Sequence, residues 1–283
     1  MKAEMRESCR VRQLASAARQ ATAIGLFLGL LLLAGCAYTV KSVSFPGITP
    51  DTKPPRQGTF PDKELIFTAW LTRPRGDGPF PAVVVLHGCF GIFSRDEAWA
   101  RQLAEWGYVS LLPDGFGPRG ERSVCDEESR IPASIRAHDA HAAKAYLASL
   151  PFVRKDRIAV IGWGHGAQAA LYAASSWPTA KSGVAPFRAA VAFYPWCLVT
   201  LVEPKTPLMI LIGERDALTP VHFCRNMAIV GAGDYRPDIH VYPGAVHGFD
   251  LPDRIYGGPI AYNAAAATDS ERRVKDFLAR HLR

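Results

Sequence analysis

The chain has few cysteines, no long apolar run, only a mild net charge, and a stretch without any acid. Six cysteines occur in 283 residues. No two stand as Cys-x-x-Cys, and no histidine falls at ligand spacing beside them, which argues against a metal site, zinc above all. The formal net charge is +7. Five Lys/Arg and two Asp/Glu fall in the first 35 residues, leaving 28 basic and 24 acidic residues beyond them. With no basic block interleaved with aromatics, that balance speaks against a nucleic-acid binder. The apolar run from Ala21 to Gly35 is too short for a membrane span. Between Asp156 and Glu203 there is no Asp or Glu.

The N-terminus reads as an address. Lys2, Arg6, Arg10, Arg12 and Arg19 precede the apolar run, which ends Leu33-Ala34-Gly35-Cys36. That is the layout of a secretory signal over residues 1–35. Leu-Ala-Gly-Cys also resembles the bacterial lipobox, which implies a lipidated Cys36 and an exported protein held to a membrane leaflet. Ala37 in place of an acidic residue points to the outer membrane, facing the periplasm. Residues 37–60, rich in Pro, Gly, Thr and Lys, are expected to be a linker.

From residue 61 to 283 the pattern is that of one domain. Apolar or alternating runs over Glu64–Leu71, Pro81–Leu86, Tyr108–Pro113, Ile158–Ile161, Ala189–Tyr194, Pro207–Ile212 and Ile239–Tyr242 read as strands. Helical stretches are expected over Asp96–Trp106, Ala133–Leu150, Gln168–Trp177, Thr219–Val230 and Ala264–His281. Their alternation predicts an α/β fold, a doubly wound, mostly parallel sheet with helices on both faces. Ligands of such a sheet bind outside the carboxyl ends of its strands, where Gly, His, Asp and Cys concentrate in this chain.

One hinge between strand and helix stands out: Gly162-Trp163-Gly164-His165-Gly166. It has the frame of a nucleophile elbow, Gly-x-Ser-x-Gly, in which the central hydroxyl is raised above the sheet edge. The central residue here is Gly164, which has no side chain. The chain order nucleophile, acid, histidine is otherwise kept, with Asp216 after one strand and His247 after the next. His247 would be the base and Asp216 would hold its tautomer. Taken singly, Asp216 also suits a turn cap and His247 a loop histidine. Backbone amides of His165 and Cys89 are the expected oxyanion hole, with the His165 side chain turned away. A dinucleotide fingerprint, Gly162-x-Gly164-x-x-Ala167, is also present, but the acid-free stretch removes the residue that would hold a ribose.

Leu86-His-Gly-Cys-Phe-Gly, Pro113-Asp-Gly-Phe-Gly-Pro-Arg-Gly120, Gly162-Trp-Gly-His-Gly, Phe193-Tyr-Pro-Trp-Cys and Tyr242-Pro-Gly-Ala-Val-His-Gly-Phe-Asp250 together resemble the dienelactone hydrolase family of α/β-hydrolases. The resemblance implies hydrolysis of a small carboxylic ester or lactone by a Cys or Ser nucleophile with Asp and His, and no cofactor. Asp and His carry over to Asp216 and His247, and the nucleophile maps onto Gly164. A Glu that attends the nucleophile in the archetypal enzymes maps onto Gly88. The same layout implies disulfides Cys89–Cys125 and Cys197–Cys224. Arg119 is open to three uses: an anionic substrate group, a carbonyl cap, or a pair with Glu121. Phe90, Trp163, Trp196 and Phe249 are candidates for the pocket lining or the core. The empty elbow leaves three readings: hydrolysis through a water, a binding protein without catalysis, or a glycine standing where a serine is natural.

Overall fold

A computed structural model describes residues 37–50, 62–175, 185–197, 204–230, 235–251 and 259–283. The expected signal and Cys36 lie outside these residues. Among these residues eight strands form one sheet: β1 Tyr38–Pro50, β2 Asp62–Pro74, β3 Phe80–Leu86, β4 Val109–Pro113, β5 Val153–Trp163, β6 Ala190–Phe193, β7 Leu208–Gly213 and β8 Asp238–Tyr242. Their order is β1-β2-β4-β3-β5-β6-β7-β8. β1, β2 and β4 pair antiparallel, and every other pairing is parallel. The helices are α1 Ser94–Glu105, α2 Ala133–Ser149, α3 His165–Ala173, α4 Val221–Val230 and α5 Ala264–Leu282.

The central strands are buried on both faces, as their unbroken apolar runs require. Val83, Val84, Val85, Val160, Ile161, Ile210 and Leu211 are fully inaccessible. β2 instead alternates, with Leu65, Phe67, Ala69 and Leu71 inward and Glu64, Ile66 and Thr68 outward. Around the site the core is aromatic. Trp163 stacks on Phe193 with ring centroids 5.1 Å apart, and Trp99 lies 5.4 Å from Trp163.

The expectation of a linker over residues 37–60 is corrected for its first part. Residues 38–50 are β1, which pairs along its length with β2. Phe45 is buried and stacks on Phe67 and Tyr146, at 5.6 and 4.9 Å. Pro46 and Gly47 hid this strand in the sequence. On an edge strand a proline is tolerated because one side of the ladder needs no donor. Gly47 also lets β1 approach α2, since a Cβ there would lie 2.6 Å from that of Ala142.

Candidate functional site

The site is assembled where β5 ends. β5 runs through Trp163, α3 starts at His165, and Gly164 between them has φ +52° and ψ −115°. A helix leaving a strand this abruptly brings backbones into contact. A Cβ on Gly162 would lie 2.2 Å from the Gly166 carbonyl oxygen, and one on Gly166 would lie 2.3 Å from that of Leu86. Both outer glycines are therefore steric requirements. Gly164 differs: among the described residues, a Cβ there meets only His247 Nε2, at 3.7 Å.

Asp216 and His247 are brought together from the ends of β7 and β8. His247 Nδ1 donates to Asp216 Oδ2 over 2.8 Å. The carboxylate is fixed by its own turn: the Leu218 and Thr219 amides donate to Oδ1 at 3.0 and 2.8 Å, and the Thr219 hydroxyl donates to Oδ2 at 2.8 Å. Asp216 is therefore a turn cap and an imidazole partner at once. With its proton on Nδ1, the ring presents Nε2 as an acceptor toward Gly164.

The two segments carrying the expected oxyanion amides are tied from below by two buried side chains, His87 of the Leu86-His-Gly run and Arg136, which the sequence did not single out. His87 is fully buried; its Nδ1 donates to the Gly88 carbonyl at 2.9 Å and its Nε2 accepts from the Gly115 amide at 3.1 Å. Because the Gly88 carbonyl and the Cys89 amide share one peptide plane, holding the first aims the second the other way. Arg136 Nη1 donates both to the His87 carbonyl, at 2.9 Å, and to His165 Nδ1, at 3.0 Å. The His165 side chain thus runs inward to Arg136. Burial first, then Arg136, push its imidazole down to about 3, so it stays neutral. Burial lowers Arg136 itself to about 10.

A second buried group backs the pocket. Arg95 donates to Asp96 from Nη2 at 2.7 Å and to the Tyr194 hydroxyl from Nη1 at 2.8 Å. That hydroxyl donates to Asp250 Oδ1 at 2.7 Å, and Trp163 Nε1 donates to Asp250 Oδ2 at 2.8 Å. Tyr194 has φ +41° and its ring lies 4.4 Å from that of His247.

Above these groups lies a cavity of about 720 Å³, in the usual range for small-molecule sites. Gly164, His165, His247, Cys89, Phe90, Trp163 and Trp196 line it; Phe249 does not, and belongs to the core. Disulfides join Cys89 to Cys125 and Cys197 to Cys224. Cys89 therefore has no thiol to offer as a replacement nucleophile. Arg119 settles between its three candidate uses: it caps the Gly115 carbonyl at 2.8 Å and forms a two-pronged pair with Asp139, both contacts 2.8 Å. The alternative pair with Glu121 does not form; Glu121 faces Arg130 instead, at 3.7 Å. No group of three or more metal-ligating side chains occurs among the described residues.

A mostly parallel sheet, a glycine-framed turn after its fifth strand and an acid–imidazole pair on later strand ends define an α/β-hydrolase. Residues 67–282 match the dienelactone hydrolase family, and the chain belongs to it. It is 32% identical over 221 residues to a probable 2-oxo-3-(5-oxofuran-2-ylidene)propanoate lactonase from Bradyrhizobium sp, covering 70% of this chain and 84% of that one. Among solved structures, a dienelactone hydrolase-like promiscuous phosphotriesterase from metagenomic libraries superposes with a TM-score of 0.65 at 20% identity, over 87% of this chain and all of the other. The dienelactone hydrolase of Anabaena variabilis gives 0.62 at 17% identity, with 87% and 100% covered.

Proposed function

We propose that this chain hydrolyses small carboxylic esters or lactones by direct attack of water, without a covalent intermediate. The observation that carries this reading is the open position over Gly164, where a side-chain atom would stand 3.7 Å from the acceptor nitrogen of His247. A water there would give a proton to Nε2 as its oxygen bonds to the carbonyl carbon. Asp216 stabilises the imidazolium that results. The Cys89 and His165 amides receive the developing oxyanion. Collapse expels the alcohol, which takes the proton back from Nε2, so the imidazole is restored. Nothing in this cycle calls for a cofactor. The Bradyrhizobium relative's name supports a lactone or ester as the small-molecule partner.

Without a nucleophilic side chain the rate is low. In triad hydrolases the remaining groups give about 10³–10⁴-fold over water. The missing hydroxyl also favours a second reading, a ligand-binding protein without turnover. Short-chain aryl ester hydrolysis by the purified chain, Gly164→Ser and His247→Ala separates the two. We expect slow saturable turnover by the unmodified chain, its loss in His247→Ala, and a rise of at least about 10²-fold in Gly164→Ser. Absence of turnover in both the unmodified chain and Gly164→Ser supports the binding reading instead. The proposal extends to export and lipidation at Cys36, supported by the order of basic region, apolar run and Leu33-Ala-Gly-Cys36.

A further inference from the structure

The charges around the cavity are unequally committed. Arg95, which lines it, is engaged by Asp96 and Tyr194, with Asp250 next in the chain of bonds. Glu128 also lines it, from the exposed mouth, and among the described residues no hydrogen bond or ion pair reaches its carboxylate. The mouth segment Glu121–Arg130 carries four acids and two arginines. Arg130, one of the two, is held by Asp126 at 2.6 Å and by Glu121. Phe90, Tyr172, Tyr194 and Trp196 line the same cavity as Glu128.

A cavity lined by an unpaired carboxylate and by several aromatic rings suits a soft organic cation, because ring faces attract ammonium groups and the acid supplies the countercharge. A substrate carboxylate in the same place would meet Glu128 and no uncommitted cation among the described lining residues. We propose that the cavity selects esters bearing a substituted ammonium group, with Glu128 as the specificity-determining residue, over neutral esters and over carboxylate-bearing lactones. This deepens the hydrolase reading and rests on it for the ester. Partial burial of Glu128 raises its carboxyl above the usual range.

The test uses choline butyrate, its neutral isostere 3,3-dimethylbutyl butyrate, and the butyrate ester of 3-hydroxypropanoate. Dissociation constants by calorimetry and initial rates are measured on the intact chain, Glu128→Gln and Glu128→Lys. We expect the choline ester to bind about tenfold tighter than the neutral isostere, and the anionic ester to bind weakest. Glu128→Gln should shrink the first gap to less than about threefold, and Glu128→Lys should put the anionic ester first. Equal affinities in the intact chain, a ranking that both variants preserve, or no binding by any of the three would overturn the inference. An ammonium-first ranking without turnover retires the hydrolase reading and keeps this one; turnover without the ranking does the reverse.

Discussion

At the scale of single residues, the site is held by groups that each satisfy several partners. Asp216 accepts three hydrogen bonds from its own turn and a fourth from His247, so its geometry is fixed before any ligand arrives. Tyr194 does the same for the pocket wall. Its hydroxyl accepts from Arg95 and donates to Asp250, and burial holds the phenol well above its usual range, hence neutral. Replacing Tyr194 by Phe leaves one guanidinium N–H and one carboxylate oxygen buried without their partner. Unpaired buried polar groups of this kind cost about 2 kcal/mol. In urea denaturation, Tyr194→Phe should therefore lower the unfolding free energy by that amount, read as a lower midpoint with the slope unchanged.

At the scale of elements, the elbow is a contact between backbones, and glycine is what permits it. Gly166→Ala would place a Cβ 2.3 Å from the Leu86 carbonyl oxygen and 2.4 Å from that of His87. Neither atom can swing aside, so β3 and α3 must separate. We expect a loss of about 3 kcal/mol or more, read as a fall in melting temperature of roughly 6–12 °C. This hinge, β2 to β8 and the loops bearing Asp216 and His247 were legible in the sequence, because apolar runs bounded by Gly, Pro and Asp specify buried parallel strands and the alternation over β2 specifies a strand with one exposed face. β1 was not, since its exposed residues Lys41, Ser42 and Ser44 and the pair Pro46-Gly47 mimic a tether. Arg95, Asp96 and Arg136 were also missed. They lie on helices, where a charged residue ordinarily faces solvent, and no spacing marks the ones that turn inward to support a site.

At the scale of the molecule, buried histidines set the response to acid. Burial lowers His87 well below its usual range, His141 to about 4 and His165 to about 3. Above pH 6.5 these groups are neutral in both folded and unfolded chains, and their contribution is fully present. As the pH falls below 6.5, the unfolded chain takes up protons that the folded one refuses, so stability drops until the folded values are reached. Each histidine contributes a slope of about 1.4 kcal/mol per pH unit. Denaturation curves from pH 7.5 to 4 should show this loss, and His141→Phe should flatten it. The hairpin of β1 and β2 has a different consequence for where the body can sit. Ala37 already accepts a hydrogen bond from the Arg75 amide, 3.0 Å away, and β1 begins one residue later. A lipid on Cys36 would thus meet the sheet margin with no leash between them. If the proposed anchor is there, the bilayer would keep this margin of the body close to its surface, like a plate held at its rim.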